Sequence, residues 1–153
     1  SSAAFQLAEF DRIAFEKVKI TLPLAKSIVR KNEPMQRALK RYTQAVEMEV
    51  LEFTTPATFH IADMYAQMSK ALMTSEKPKG MDEVEAEEYQ YLLEDQAFPL
   101  DEAAIDIHQT NIRRTYDGLY DQWVKKSFSS MAELMPGQYN KPEKVATYVD
   151  QIR

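Results

Sequence analysis

The chain has 153 residues, with three Gly and no Cys against eight Met, eight Tyr and seven Phe, and a net charge of −5. That length is about one domain's worth and can bury a sizeable core, but so few Gly disfavour a sheet built on tight hairpins. The missing Cys exclude a disulfide framework, a thiolate metal site and a cysteine nucleophile, and no apolar run is long enough for a membrane span or a secretion signal.

Helical periodicity dominates from the start. Ala3, Leu7, Phe10, Ala14 and Val18 recur at three or four residues and predict a first helix with that stripe facing the core. Val18, Ile20, Leu22 and Leu24 then alternate with polar residues, a two-residue repeat. With no second alternating run to pair with, residues 18–22 read as a connector. From Pro23, suited to a first helical turn, a stripe runs through Leu24, Ile28, Met35, Leu39, Tyr42, Val46, Val50 and Phe53. Pro34 falls within it, so the helix either kinks there or gives way to a new one capped by Asn32; a break or sharp kink at 31–34 is the favoured expectation.

Thr55 as N-cap and Pro56 as first helical residue predict the next start. Its stripe of Thr58, Ile61, Ala62, Tyr65, Ser69, Leu72 and Met73 has small members that let a neighbour come close. Residues 75–80, with Pro78 and Gly80, predict a loop. Asp82 and Glu85 form a capping-box-like pair, and Tyr89, Leu93, Ala97, Leu100, Ala104, Ile107 and Asn111 predict one helix over 82–116, bent near Pro99. Such a helix spans about 50 Å, long for a compact bundle and better suited to a stacked array. After Asp117-Gly118, Tyr120, Trp123, Ser127, Met131 and Leu134 carry a further helix to Met135-Pro136-Gly137. Pro142 opens a last one, with Val145, Val149 and Ile152 inward.

Charge is divided along the chain. Residues 12–41 hold nine Lys/Arg and two acids, a net of +7, whereas 44–106 hold fifteen acids and three Lys, a net of −12. Such blocks neutralise each other between neighbouring helices or steer a charged partner; the first use is the expectation. A nucleic-acid groove is disfavoured, because the basic block has only Phe15 and Tyr42 to stack bases and the whole chain repels phosphate.

Chemistry-bearing patterns are sparse. Paired Glu-x-x-His motifs of a di-iron bundle are absent. The weak metal candidates are His60 with Asp63, one helical turn apart, and His108; both histidines are expected at the surface or hydrogen-bonded. There is no Gly-x-Ser-x-Gly elbow and no Gly-rich phosphate loop, and Ser127, Ser129 and Ser130 have no His nearby in sequence. Neither catalysis nor a cofactor is expected. The Met residues either line an adaptable groove or, as favoured, fill the core. Tyr91, Tyr116, Tyr120 and Trp123 are candidate partner contacts, since aromatics are enriched at binding hot spots; packing around Gly118 is the alternative use of the last three.

Two segments resemble tetratricopeptide repeats. Thr58-Phe59-His60-Ile61-Ala62-Asp63-Met64-Tyr65 places Ile61, Ala62 and Tyr65 at the spacing of a first repeat helix, and Pro99-Leu100-Asp101-Glu102-Ala103-Ala104 opens a part similar to a second helix, with Ala104 as its small packing residue. This part leads to Trp123 and closes at Leu134-Met135-Pro136. The departures are Thr58 for the usual Trp, His108 for an aromatic, and Asn111 for Ala. The resemblance covers about residues 5–142, and is to the divergent helical region of bacterial envelope proteins carrying such repeats. It implies a right-handed solenoid that binds a protein or peptide on a concave face, in a periplasmic or envelope setting.

The expected fold is therefore all-α: a single helical domain over 1–153, an antiparallel array with long helices kinked near Pro34 and Pro99, and a fragment of a longer repeat protein. The expected function is a non-enzymatic protein-interaction scaffold. The alternatives are a helical bundle holding a small ligand or metal, and a self-association module in which the basic block of one chain meets the acidic block of another.

Overall fold

The computed structural model describes residues 2–139, with side chains over 3–137. Five substantial helices follow in order: α1 (Ser2–Lys17), α2 (Leu24–Glu47), α3 (Leu51–Met73), α4 (Glu83–Arg113) and α5 (Gln122–Leu134). A 3-10 turn, Arg114–Asp117, extends α4, and a four-residue helix α6 (Pro136–Tyr139) follows α5. The described residues contain no strand, so the all-α expectation holds. None of these helices is long and apolar enough to cross a membrane. The helix expected after Pro142 lies outside the described residues.

Each helix packs on its successor, and alternate helices also meet: α1 touches α3, and α3 touches α5. α3 is therefore central, and between Phe53 and Met73 only Lys70 is exposed. One flank of α3 places Ala57, Met64 and Met68 in a core with Phe15, Met35 and Tyr42 from α1 and α2. Ile61 and Tyr65 pack partly buried against it. Elsewhere α3 buries Ala62, which with Ala104 of α4 is fully enclosed, as small residues between closely approaching helices should be.

Several local expectations match. The connector at 18–22 is non-helical, and α2 begins one residue after Pro23. Asp82 caps α4 by accepting the Glu85 N–H at 2.8 Å. Pro99 sits on the exposed side of α4, away from Leu93, Ala97 and Ala104. Gly118, at φ 83°, closes the 3-10 turn: its N–H reaches Thr115 O and the Leu119 N–H reaches Arg114 O, both at 3.0 Å. This is a Schellman pattern, for which a left-handed residue is required.

Others are corrected. α2 runs unbroken through Pro34, and Asn32 accepts from the Gln36 side chain instead of capping a new helix. The α2–α3 turn falls at 48–50, not at Thr55. Glu49 takes φ 55° there, and the Phe53 and Thr54 N–H groups both return to Val50 O. Because no Gly or Pro marks that turn, Thr55-Pro56 looked like the start, yet both are buried inside α3.

α1 is turned over. Its buried face is Ala8, Asp11 and Phe15, while Leu7 and Phe10 of the expected stripe are 46% and 72% exposed. The polar members of the buried face are satisfied: Asp11 pairs with Arg41 at 2.5 Å and with Arg37 at 3.2 Å. Among the described residues no ion pair joins the basic block to the acidic one, and the cross-helix pairs from α2 go to Asp11 of α1.

Candidate functional site

Two polar arrangements stand out from the packed helices. The first is enclosed, between α3, α4 and α5. Asp121 caps α5 by accepting the Trp123 and Val124 N–H groups at 2.9 Å, and its other oxygen accepts the Thr55 hydroxyl at 2.5 Å. The Asn111 amide donates to Thr55 O at 3.1 Å and to Ser127 Oγ at 3.0 Å. Arg114 donates to Asn111 Oδ1 and, at 3.2 Å, to Thr58 Oγ1. His108 Nδ1 lies 3.0 Å from Ser127 Oγ. Thr58, His108 and Asn111 thus converge in one network.

The His108–Ser127 contact joins residues nineteen positions apart, so the His that Ser127 lacks nearby in sequence is supplied by the fold. It is no nucleophilic dyad as it stands. Both side chains are fully buried, and among the described residues His108 Nε2 has no hydrogen-bond partner that would orient the ring as a base. Burial pushes His108 down to about pKa 4, which keeps the imidazole neutral at pH 7. The network ties three helices together.

The second arrangement lies where α3 faces α1 and α5. His60 is its hub. Its Nε2 sits 3.6 Å from Glu9 Oε1 on α1, and its ring lies 5.1 Å from the Trp123 ring on α5. Phe59 meets the same indole at 5.6 Å, and the Lys126 ammonium lies over that ring at 4.2 Å, within the range of a cation–π contact. One turn on, Asp63 accepts from Gln67 at 2.7 Å, and Gln67 also reaches Glu16 of α1 at 3.3 Å. Arg12 connects the α1 side by pairing with Glu9 at 2.6 Å and Glu16 at 2.8 Å and donating to Tyr42 at 3.0 Å. The Tyr42 hydroxyl donates to Glu9.

The electrostatics follow from this packing. Burial pushes the Glu9 carboxyl upward, but hydrogen bonds from Arg12 and Tyr42 outweigh it and hold Glu9 below the usual range. Burial, aided by Arg12 and opposed by Glu9, pushes His60 down to about 4. Burial also raises Asp63, against the Gln67 hydrogen bond and with help from Glu16 and, more weakly, Glu133. Asp63 therefore lies within reach of charges on both α1 and α5.

The structure redistributes the sequence candidates. Trp123, His60 and Asp63 meet on the α1–α3–α5 face. Tyr91 lies near the start of α4 and Tyr116 beyond its end, separated by most of a 31-residue helix; Tyr91, Tyr116 and Tyr120 are all largely exposed. The four aromatics do not form one patch, and Tyr116 and Tyr120 do not fill the joint around Gly118. His60 and His108 are both buried, neither at the surface; His108 is hydrogen-bonded through Nδ1, and among the described residues His60 Nδ1 and His108 Nε2 have no partner. Among the described residues no three His, Asp or Glu side chains gather as a metal site. Of the Met residues, Met64, Met68 and Met131 are core while Met48 is exposed. Glu9, Arg12 and Gln67 were missed, because their role appears only once α1 is set against α3. Comparison of the chain with protein families, with characterised proteins and with solved structures returns no match.

Proposed function

We propose that this chain is a non-enzymatic protein-interaction scaffold, resembling tetratricopeptide modules, that receives a protein or peptide segment across the face shared by α1, α3 and α5. One observation carries the reading: the buried His60 reaches the part-exposed Glu9 on α1 and Trp123 on α5, so three alternate helices border one face around it. That surface offers an aromatic with a cation over it, a carboxylate and an amide. This mixture anchors a peptide through stacking and hydrogen bonds. The proposal includes a right-handed winding of the array, bends at Pro34 and Pro99, and a bacterial periplasmic or envelope setting.

The test is capture from envelope extract by the wild-type chain, identification of the captured protein, and titration of that protein in purified form. Trp123→Ala with Lys126→Glu should weaken binding at least about tenfold while the circular dichroism is unchanged. A captured protein that binds wild type and variant equally, or a chain that binds only metal ions or small molecules, defeats the reading.

A further inference from the structure

We propose that the protein self-associates head to tail, the outward face of α4 on one copy receiving the outward face of α2 on another. On α4, Val84, Tyr91 and Phe98 are 64%, 56% and 63% exposed. Their seven-residue spacing sets them on one line along the helix. Glu88, Asp95 and Glu102 follow each of them by four residues and are exposed on the same side. The stripe therefore alternates apolar and acidic groups. No Lys or Arg occurs between Lys79 and Arg113 to neutralise it, and among the described residues no ion pair engages its acids.

The complement is on the same chain. The outward side of α2 exposes Lys26, Arg30 and Lys40 around Val29, itself 69% exposed. Ala25, Lys26, Val29, Arg30 and Glu33 line a shallow depression of about 450 Å³ there, which can accept a side chain of the size of Phe98 or Tyr91. Lys26 to Lys40 and Val84 to Phe98 each cover about 21 Å of helix, so the two stripes match in length as well as in charge. Within one copy α3 stands between α2 and α4, and both stripes point away from it. Among the described residues the acidic stripe therefore meets this complement only on a second molecule. Because the two faces differ, the contact is heterologous, and it propagates until a ring closes or a filament grows. This inference is independent of what binds the α1–α3–α5 face.

Sedimentation velocity on the full chain tests it. Species larger than the monomer are expected at about 50 mM salt, with association weakening at least about tenfold by about 500 mM as the charged rim is screened. Glu88→Lys with Asp95→Lys, and separately Lys26→Glu with Arg30→Glu, should each give a monomer with unchanged circular dichroism. An equimolar mixture of the two variants should restore association beyond the dimer, because the basic α2 and reversed α4 of the first meet the acidic α4 and reversed α2 of the second. Tyr91→Ser with Phe98→Ser, which leaves every charge in place, should also give a monomer. A wild-type chain that is monomeric at low salt overturns the proposal. So does association that survives either charge reversal, or a mixture that stays monomeric.

Discussion

The Ser127 hydroxyl of α5 meets the His108 ring of α4 at 3.0 Å, with both side chains fully enclosed. The imidazole is neutral in the folded protein at pH 7, and among the described residues Nε2 has no partner that would welcome a proton. Its pKa falls from 6.5 to about 4 on folding, and His60 behaves alike. A depressed histidine costs nothing above the unfolded value. Stability should therefore be full above pH 6.5 and decline as the pH drops towards 4, by up to about 3 kcal/mol per histidine. Urea unfolding at a series of pH values between 7 and 4 measures the slope. His108→Gln should flatten it, and an unchanged slope removes His108 from this account.

Asp121 performs two tasks, capping α5 and accepting from Thr55. Asp121→Ala should cost about 2–3 kcal/mol, the cap supplying about 1 and the stranded Thr55 hydroxyl the rest. Thr55→Val in the Asp121→Ala background should then cost less than in wild type. Strict additivity in that double-mutant cycle would mean the two groups do not interact.

Lys31 is buried, and its ammonium donates to Phe15 O at 2.7 Å and Val18 O at 2.6 Å while lying 4.1 Å over the Phe15 ring. It adds a second bond to Phe15 O, which already accepts the Val18 N–H at 3.2 Å, and serves Val18 O just past α1, where a cation also suits the helix dipole. Lys31→Met keeps most of the packing but removes both charge-assisted bonds, and should cost about 2–3 kcal/mol. Thermal unfolding measures it; a loss within experimental error would mean that the carbonyls are served equally well by water.

Gly118 holds φ 83° with open space where a Cβ would stand. Gly118→Ala should therefore cost only the left-handed backbone strain, about 1 kcal/mol, and Gly118→Asn less. A much larger loss in chemical denaturation would point to a contact that the geometry does not contain.

The helices of this fold were legible wherever burial is apolar. Leu93, Ala97 and Ala104 announce the inner side of α4, and Met35, Leu39 and Tyr42 that of α2. Legibility failed where burial is polar. α1 hides Asp11 against Arg37 and Arg41, so its most regular apolar stripe, through Leu7 and Phe10, is left outside. A count of apolar periodicity cannot register a carboxylate that is satisfied by arginines some thirty residues away. The α2–α3 turn failed for a related reason: Glu49 adopts positive φ without a glycine to announce it. In the buried network, the signal was present but unread. Thr58 and Asn111 are polar members of otherwise apolar stripes, and polar side chains turned into a core need hydrogen-bond partners there. The α1–α3–α5 face was half visible, through Trp123, His60 and Asp63; Glu9, Arg12 and Gln67 join it only through tertiary packing.

The near-complete enclosure of α3 bears on how the molecule comes apart. Ala57, Met64 and Met68 are held by α1 and α2, whereas Thr55 and Thr58 are tied to α4, α5 and the turn between them. Neither half can release α3 without stripping a wall from the other. Solenoids whose layers touch only their neighbours can open one layer at a time. Here the shared helix makes the five helices a single cooperative unit, so the slowest-exchanging amides should lie in α3 and disappear together in one global opening.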